Sequence, residues 1–300
     1  MSVIPLFKYA GGKHKMLEKY NPFFQGLGSK RAFIDYFGGS GTMSLWMHSL
    51  YPHFTIVLNE LNSEIYSIYS ALKRDYKLFL DTVDELDKQY TYIRQENLLN
   101  FADNPKKGKE KSIAERKEFY YALRHLYTNT PDLFSSDAEK AAALYFMLKT
   151  NFNGIWQVRA KDGIYNTPFG NGFETKSVIN MDALAAFRDM LMVTEIRNED
   201  FRALESIHKK RAIHYFDPPY VNSYTNYEKG GFPEETTLAL CALMNRLNDQ
   251  GEKVYLSNKD ADILRDNLPA FTFETFDVKY TAGRKNTLEG SKAVEILAHN

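Results

Sequence analysis

At 300 residues the chain can hold one large domain or two modest ones with a sizeable core. Its 38 basic residues balance its 38 acidic ones, which excludes a globally basic nucleic-acid binder and leaves only local charge segregation for any polyanion contact. The single cysteine, Cys241, excludes an intramolecular disulfide framework and a cysteine-cluster zinc site. The seven histidines show no metal-ligand spacing, so no metal is expected. No signal peptide and no long apolar span is visible, so a cytoplasmic location away from membranes is expected.

The first informative segment is Phe7-Lys8-Tyr9-Ala10-Gly11-Gly12-Lys13, where a Gly-Gly turn sits between an aromatic and a cation. It reads as a mobile terminus or as a backbone turn that passes close to a ligand. Residues 31–37 then form a strand-like run, followed by Gly38-Gly39-Ser40-Gly41 and a helical stretch over 42–50. Strand, glycine loop and helix open a nucleotide-binding α/β unit, because the helix N-terminus offers free N–H groups and positive potential. The spacing is not G-x-G-x-x-G, which argues against a dinucleotide fingerprint. A second strand, 55–60, ends in Glu60 about 20 residues beyond the glycines, where a carboxylate would hold ribose hydroxyls.

After Asn62 the pattern turns helical, with apolar residues at three- and four-residue spacing over 64–80, 81–99, 114–127 and 137–148. A loop over 100–111 and a turn over 128–136 punctuate these helices. Residues 106–124 carry seven basic against three acidic side chains, a candidate DNA contact, with 106–111 reading equally as a solvated face. Residues 151–172 read as a hairpin-like run with Gly154, Asp162-Gly163, Pro168 and Gly170, carrying Trp156, Tyr165 and Phe169. Its aromatics, Asn and Gln could enter a groove and fill the gap of a displaced base, or could pack as the hairpin's own core.

Strand patterns resume at 192–196, 213–216, 253–257, 271–279 and 293–298. The 213–216 run closes on Asp217-Pro218-Pro219-Tyr220, which puts a carboxylate at the carboxyl end of a strand, where open α/β sheets bind ligands. The prolines stiffen the turn and fix the direction of its carbonyls, and Pro218 has no N–H to compete with a ligand's donors. An acceptor, an aimed carbonyl and the aromatic face of Tyr220 together suit the exocyclic amine of a flat base. An ordinary strand-ending turn is the plainer alternative.

Taken in order, Tyr9-Ala-Gly-Gly-Lys13, Asp35-Tyr-Phe-Gly-Gly-Ser-Gly41, Asn59-Glu60, Asn153-Gly-Ile-Trp156, Tyr165-Asn-Thr-Pro-Phe-Gly170 and Asp217-Pro-Pro-Tyr220 resemble the DNA adenine methyltransferase (Dam) family. These are α-ordered N6-adenine enzymes that use S-adenosyl-L-methionine and release S-adenosyl-L-homocysteine. The resemblance implies a Rossmann-like α/β methyltransferase sheet over 1–68 and 173–300. It implies an inserted, mainly helical target-recognition domain over 69–172 that ends in the hairpin. By resemblance Tyr9, Lys13, Glu60 and Asp217 are cofactor contacts, with Glu60 in place of the more usual Asp. Asp35, Phe37, Gly39, Ser40 and Gly41 join them, with Lys13, Asp35 and the N–H groups of the Gly38 to Gly41 loop suiting the cofactor's charged ends. Asp200 and Phe201 are placed beside the cofactor adenine, although Phe201 also reads as a core residue. Asp217, Pro218, Pro219 and Tyr220 are the expected catalytic set.

Expected DNA contacts are Lys149, Asn151, Asn153 and Gly154, together with Trp156, Gln157, Arg159 and Asn166. Relatives that methylate GATC typically carry Arg where Gln157 stands. The partners implied are double-stranded DNA and a cognate restriction endonuclease, in a bacterial host or a phage within one, and the chain is expected to be a monomer. Two rivals remain at this point: a related enzyme acting on RNA or a protein glutamine, and a binding module without chemistry. Glutamine enzymes usually present Asn before Pro-Pro-Tyr, which Asp217 disfavours.

Overall fold

The computed structural model describes residues 3–9, 11–159, 161–170, 177–207, 211–220, 232–279 and 292–300. The strands are β1 (Ala32–Asp35), β2 (Thr55–Asn59), β3 (Thr194–Arg197), β4 (Ala212–Phe216), β5 (Lys253–Lys259), β6 (Thr272–Lys279) and β7 (Lys292–His299). They form one seven-stranded sheet in the order β3-β2-β1-β4-β5-β7-β6. The helices used below are α1 (Leu17–Tyr20), α2 (Thr42–Leu50), α3 (Ser63–Arg74), α4 (Tyr76–Asn100), α5 (Pro105–Asn129), α6 (Asp137–Thr150), α7 (Met181–Met192), α8 (Glu234–Asp249) and α9 (Asp262–Asn267).

Every residue of β1 and β4 is buried, the burial expected where both faces of a parallel sheet are covered. Alternation sorts their side chains between two cores. Ile34 and Phe216 pack with Leu240, Leu243 and Met244 of α8. Phe33 and Tyr215 stack, ring centroids 6.0 Å apart, on the side where Phe24 meets Trp46 and Tyr255. β1 pairs in parallel with β2 on one side and with β4 on the other. The chain therefore reverses its direction of travel across the sheet between β1 and β4. In open α/β sheets the crevice at such a switch point, outside the carboxyl ends of the strands, is where ligands bind. β7 runs antiparallel between β5 and β6, and β6 is the edge strand on that side.

The chain divides into two compact units. One comprises residues 1–3, 13–61 and 193–300; the other comprises 4–12 and 62–192. The first holds the sheet with α1, α2, α8 and α9. The second holds α3 to α7 and reaches beyond residues 69–172, because the apolar faces of α3 and α7 pack within it: Tyr69 stacks on Phe187 at 5.7 Å. Among the described residues no helix is long and apolar enough to cross a membrane.

Two local expectations are corrected. Residues 105–111 are not loop but the first turns of α5, because Pro105 sits in its first turn and the Asn104 side chain caps it by accepting the Lys107 N–H. In the basic run 106–124, Lys106, Lys107 and Lys111 are exposed as on a solvated face, but Arg116 is withdrawn from any DNA contact. Arg116 is fully buried, donates from Nε to the Tyr90 carbonyl at 2.8 Å and lies 3.8 Å from the Tyr90 ring centroid. Arg124 stacks on Tyr121 and donates to the Thr167 carbonyl at 3.0 Å.

Candidate active site

The carboxyl end of β1 delivers Asp35 and then the loop Gly38 to Gly41. Asp35 is buried; its Oδ2 accepts from Ser44 Oγ at 2.8 Å, while Oδ1 is buried with no hydrogen-bond partner among the described residues. Burial pushes this carboxyl up to about 7, opposed by the Ser44 hydrogen bond and the Phe37 backbone N–H and reinforced by the Asp217 and Glu60 carboxylates. Gly38 is required by close approach: a Cβ there would lie 2.6 Å from Leu58 Cδ1. Gly41, at φ +68°, starts α2 with no side-chain cap, and Ser40 turns inward to Thr42 Oγ1 at 2.8 Å. The Gly38, Gly39 and Gly41 N–H groups donate within the protein, to the Asn59 carbonyl, Glu60 Oε2 and the Gly38 carbonyl, and the loop ends at a helix N-terminus, a setting that attracts a carboxylate.

Glu60 follows β2 and is buried, its Oε2 accepting the Gly39 N–H at 2.7 Å. Its position is set by Asn59, whose Nδ2 donates to the Tyr36 and Glu199 carbonyls at 3.0 and 2.9 Å. Asn198 donates to the Glu60 carbonyl at 2.6 Å, which ties the end of β2 to the segment after β3. Asp200 accepts both guanidinium contacts of Arg202, at 2.7 and 2.8 Å, which holds its carboxyl below the usual range. Phe201 is a core residue, 4% exposed, with its ring 5.6 Å from that of the half-buried Phe37. Phe201 therefore packs as the core residue that its sequence also suggests.

The carboxyl end of β4 delivers Asp217. Lys13 Nζ lies 2.8 Å from Asp217 Oδ1, with side-chain exposures of 1% and 18%, so the ion pair is nearly dry. Burial pushes the Asp217 carboxyl up to about 6, and Lys13 opposes that rise. The Pro218 carbonyl accepts from buried Asn258 Nδ2 at 3.4 Å, which leaves its second lone pair for another donor. Tyr220 is half-buried: Lys13 Nζ lies 5.3 Å from its ring centroid, and its hydroxyl donates to Glu295 Oε1 at 2.6 Å. Lys13, Asp217, Pro218 and Tyr220 thus form one cluster. Sequence reading missed Asn258 and Glu295. The available signal was a polar residue inside each of the apolar runs of β5 and β7.

In the second unit, Tyr9 is half-buried with its ring 6.2 Å from that of Phe7. Ala10 and residues 171–172 lie outside the described residues. The hairpin is held by bridges between Asn151 and Phe169 and between Val158 and Tyr165. Trp156 is 3% exposed and packs on Tyr165 at 5.0 Å, so its indole serves the hairpin core and does not face a groove. Asn151 is also buried, its Nδ2 donating to the Ile155 carbonyl and to Tyr165 Oη at 2.9 Å each. Asn153 is exposed at φ +58°, and Gln157 and Asn166 are half-exposed and face each other through an N–H to carbonyl bond of 2.7 Å. Arg159 is exposed and paired with Asp162 at 2.9 Å. Lys149 Nζ sits 3.5 Å from the Leu6 carbonyl, and burial lowers its pKa. Among the described residues no group of His, Cys, Asp or Glu could hold a metal ion.

Residues 9–282 match the family model of the D12 class N6 adenine-specific DNA methyltransferases. The chain belongs to this family. The methyltransferase acts on the N6 amino group of adenine in DNA. It is similar to the type II methyltransferase M.MjaIII of Methanocaldococcus jannaschii, 27% identical over 86% of this chain and 85% of that protein. It is similar also to the type II methyltransferase M1.LlaDCHI of Lactococcus lactis subsp. cremoris, 26% identical over 99% and 95% of the two chains. The retron Ec67 DNA adenine methylase of Escherichia coli matches at 20% identity over 98% of this chain and 90% of its own. The seven-stranded, mostly parallel α/β sheet of the methyltransferase is of the class expected from the sequence.

Proposed function

We propose that the methyltransferase takes its methyl group from S-adenosyl-L-methionine held at the carboxyl ends of β1 and β2, and receives a flipped adenine at Asp217 to Tyr220. The observation that carries this reading is the buried Asp35 Oδ1, without a hydrogen-bond partner among the described residues, near the N-terminus of α2. An acceptor near the positive end of a helix matches a ligand end bearing both an ammonium and a carboxylate. Glu60, now accepting from Gly39, is the acceptor for ribose hydroxyls, and Phe37 offers an apolar surface beside it. When bound, the cofactor supplies a methyl group on a positively charged sulfur.

The chain's own residues do the rest. A base inside a duplex hides the faces of its amino nitrogen, so it must leave the stack at a cost of a few kcal/mol. Tyr220 offers a stacking face, worth ~1–3 kcal/mol in comparable contacts. Asp217 and the Pro218 carbonyl accept the two N–H bonds of the amine, which draws the nitrogen out of conjugation and exposes its lone pair. Positive charge then develops on nitrogen beside the Asp217 carboxylate, where a fixed opposite charge is most effective. Lys13 holds that carboxylate in place. Glu60→Ala is expected to weaken S-adenosyl-L-methionine binding at least tenfold, measured by calorimetry, since a lost charged hydrogen bond is worth ~1.5–3 kcal/mol. Unchanged affinity would mean the cofactor site is misplaced.

The hairpin reads sequence through Asn153, Gln157 and Asn166, with Lys149 and Arg159 nearby and Gly154 shaping the turn. Trp156 and Asn151 act only by holding its shape. Gln matches adenine through N6 and N7, whereas Arg matches guanine through O6 and N7, each good pair discriminating by ~1–3 kcal/mol. A target other than GATC, or a relaxed form of it, follows. Methylated adenines mapped on plasmid DNA are expected outside strict GATC, and Gln157→Ala is expected to loosen one position of the site. Strict GATC modification untouched by that substitution means Gln157 reads nothing. The type II names of two relatives support a companion restriction endonuclease.

A further inference from the structure

Glu295 is the least expected residue of the sheet. It lies on β7 between Val294 and Ile296, is 3% exposed, and pairs across the strands with Lys259 and Phe276. β7 is an interior strand, so the backbone carrying Glu295 is hydrogen-bonded on both sides and cannot drift. A buried carboxylate is costly unless it accepts hydrogen bonds, and this one accepts the Tyr220 hydroxyl at 2.6 Å, the short distance of a charge-assisted bond.

The geometry has a consequence for Tyr220. Pro218 and Pro219 fix the backbone that leads into the tyrosine, but they do not fix rotation of its ring about χ1 and χ2. The Lys13 ammonium at 5.3 Å from the ring centroid and the hydroxyl bond to Glu295 act on that rotation. A stacking surface is useful only if its plane is set before the base arrives, because a plate that must be ordered on binding gives back part of the stacking energy. We propose that Glu295 is a positioning residue for methyl transfer, anchoring the Tyr220 hydroxyl so that the ring is already in the plane at which the target base stacks. This rests on the reading of Tyr220 as the stacking face.

The test compares Glu295→Ala, Glu295→Gln, Tyr220→Phe, Tyr220→Ala and the Tyr220→Phe/Glu295→Ala double variant, each assayed for kcat, KM for DNA and S-adenosyl-L-methionine affinity. Glu295→Ala is expected to lower kcat roughly 10–100-fold, the scale of a reacting group misplaced by about 1 Å, with cofactor affinity near native. Glu295→Gln should recover most of that loss, because its amide oxygen still accepts the hydroxyl. Tyr220→Phe should reproduce the Glu295→Ala loss, and the double variant should be no worse than Tyr220→Phe alone. Native kcat in Glu295→Ala, full additivity in the double variant, or a Gln variant as poor as Ala would each overturn the proposal. Should Glu295→Ala not fold, native kcat in Tyr220→Phe overturns it by itself. Native turnover in Tyr220→Ala instead defeats the stacking assignment, an outcome distinct from a Tyr220→Ala loss with an innocent Glu295.

Discussion

Asp217→Ala is expected to slow methyl transfer by well over the roughly 10²-fold typical of one lost electrostatic stabiliser. Here a hydrogen-bond acceptor and a charge vanish together, and Lys13 loses its 2.8 Å partner in a nearly dry setting. DNA affinity should survive, since phosphate contacts supply most of it. Single-turnover rates and a DNA titration of the same preparation check both halves. Near-native turnover would remove Asp217 from the chemistry.

The pH profile gives the same assignment an independent check. Burial pushes the Asp217 carboxyl up to about 6, against the pull of Lys13. If Asp217 is the acceptor proposed, only its ionised form serves, and kcat/KM should fall as the pH drops through that value and level off above it. Lys13→Met removes the cation that favours ionisation, so the acid limb should move to higher pH. A native profile that stays flat well below pH 6, or a limb that moves down in Lys13→Met, contradicts the pairing.

Gly154→Ala is expected to be the most damaging small substitution in the second unit. The residue sits at φ +66°, and a Cβ would lie 2.2 Å from Lys8 Cβ and 2.8 Å from the Lys8 carbonyl oxygen. The left-handed backbone costs about 1–2 kcal/mol for a side-chain-bearing residue, and overpacking adds ~1–3 kcal/mol. The expected result is a lower melting temperature together with weaker DNA binding, because the clash forces residues 4–12 off the hairpin that presents Asn153 and Gln157. Lys8→Gly in the same background should recover part of the loss, since it removes the nearer of the two clashing atoms. Native melting and native DNA affinity in Gly154→Ala would show that the hairpin tolerates the displacement.

The chemistry of this methyltransferase was legible where it is local. Strand, glycine loop and helix over 31–50, the acid after the second strand, and Asp217 at the end of an apolar run each encode their geometry within a few residues. Backbone direction at a strand end follows from the strand itself. The strand positions followed from apolar runs, and the helix 42–50 from its glycine-led start. The start of α5 was also local, written in Asn104 and Pro105, and the charge of the following residues hid it.

What only the tertiary structure decided is which side chains face one another. Lys13 and Asp217 lie far apart in sequence and meet because the helical turn Lys13–Met16 ahead of α1 and the end of β4 belong to one unit. Glu295 lies under Tyr220 because β7 inserts between β5 and β6, a placement that no periodicity reports. The same limit explains Trp156 and Arg116, which composition made candidates for DNA and which packing made core. Hydrophobic pattern tells a residue which face of its own element it occupies. What lies against that face is set by the long-range closure of the sheet and the helical unit, and there a polar residue becomes a ligand, an anchor or a strut.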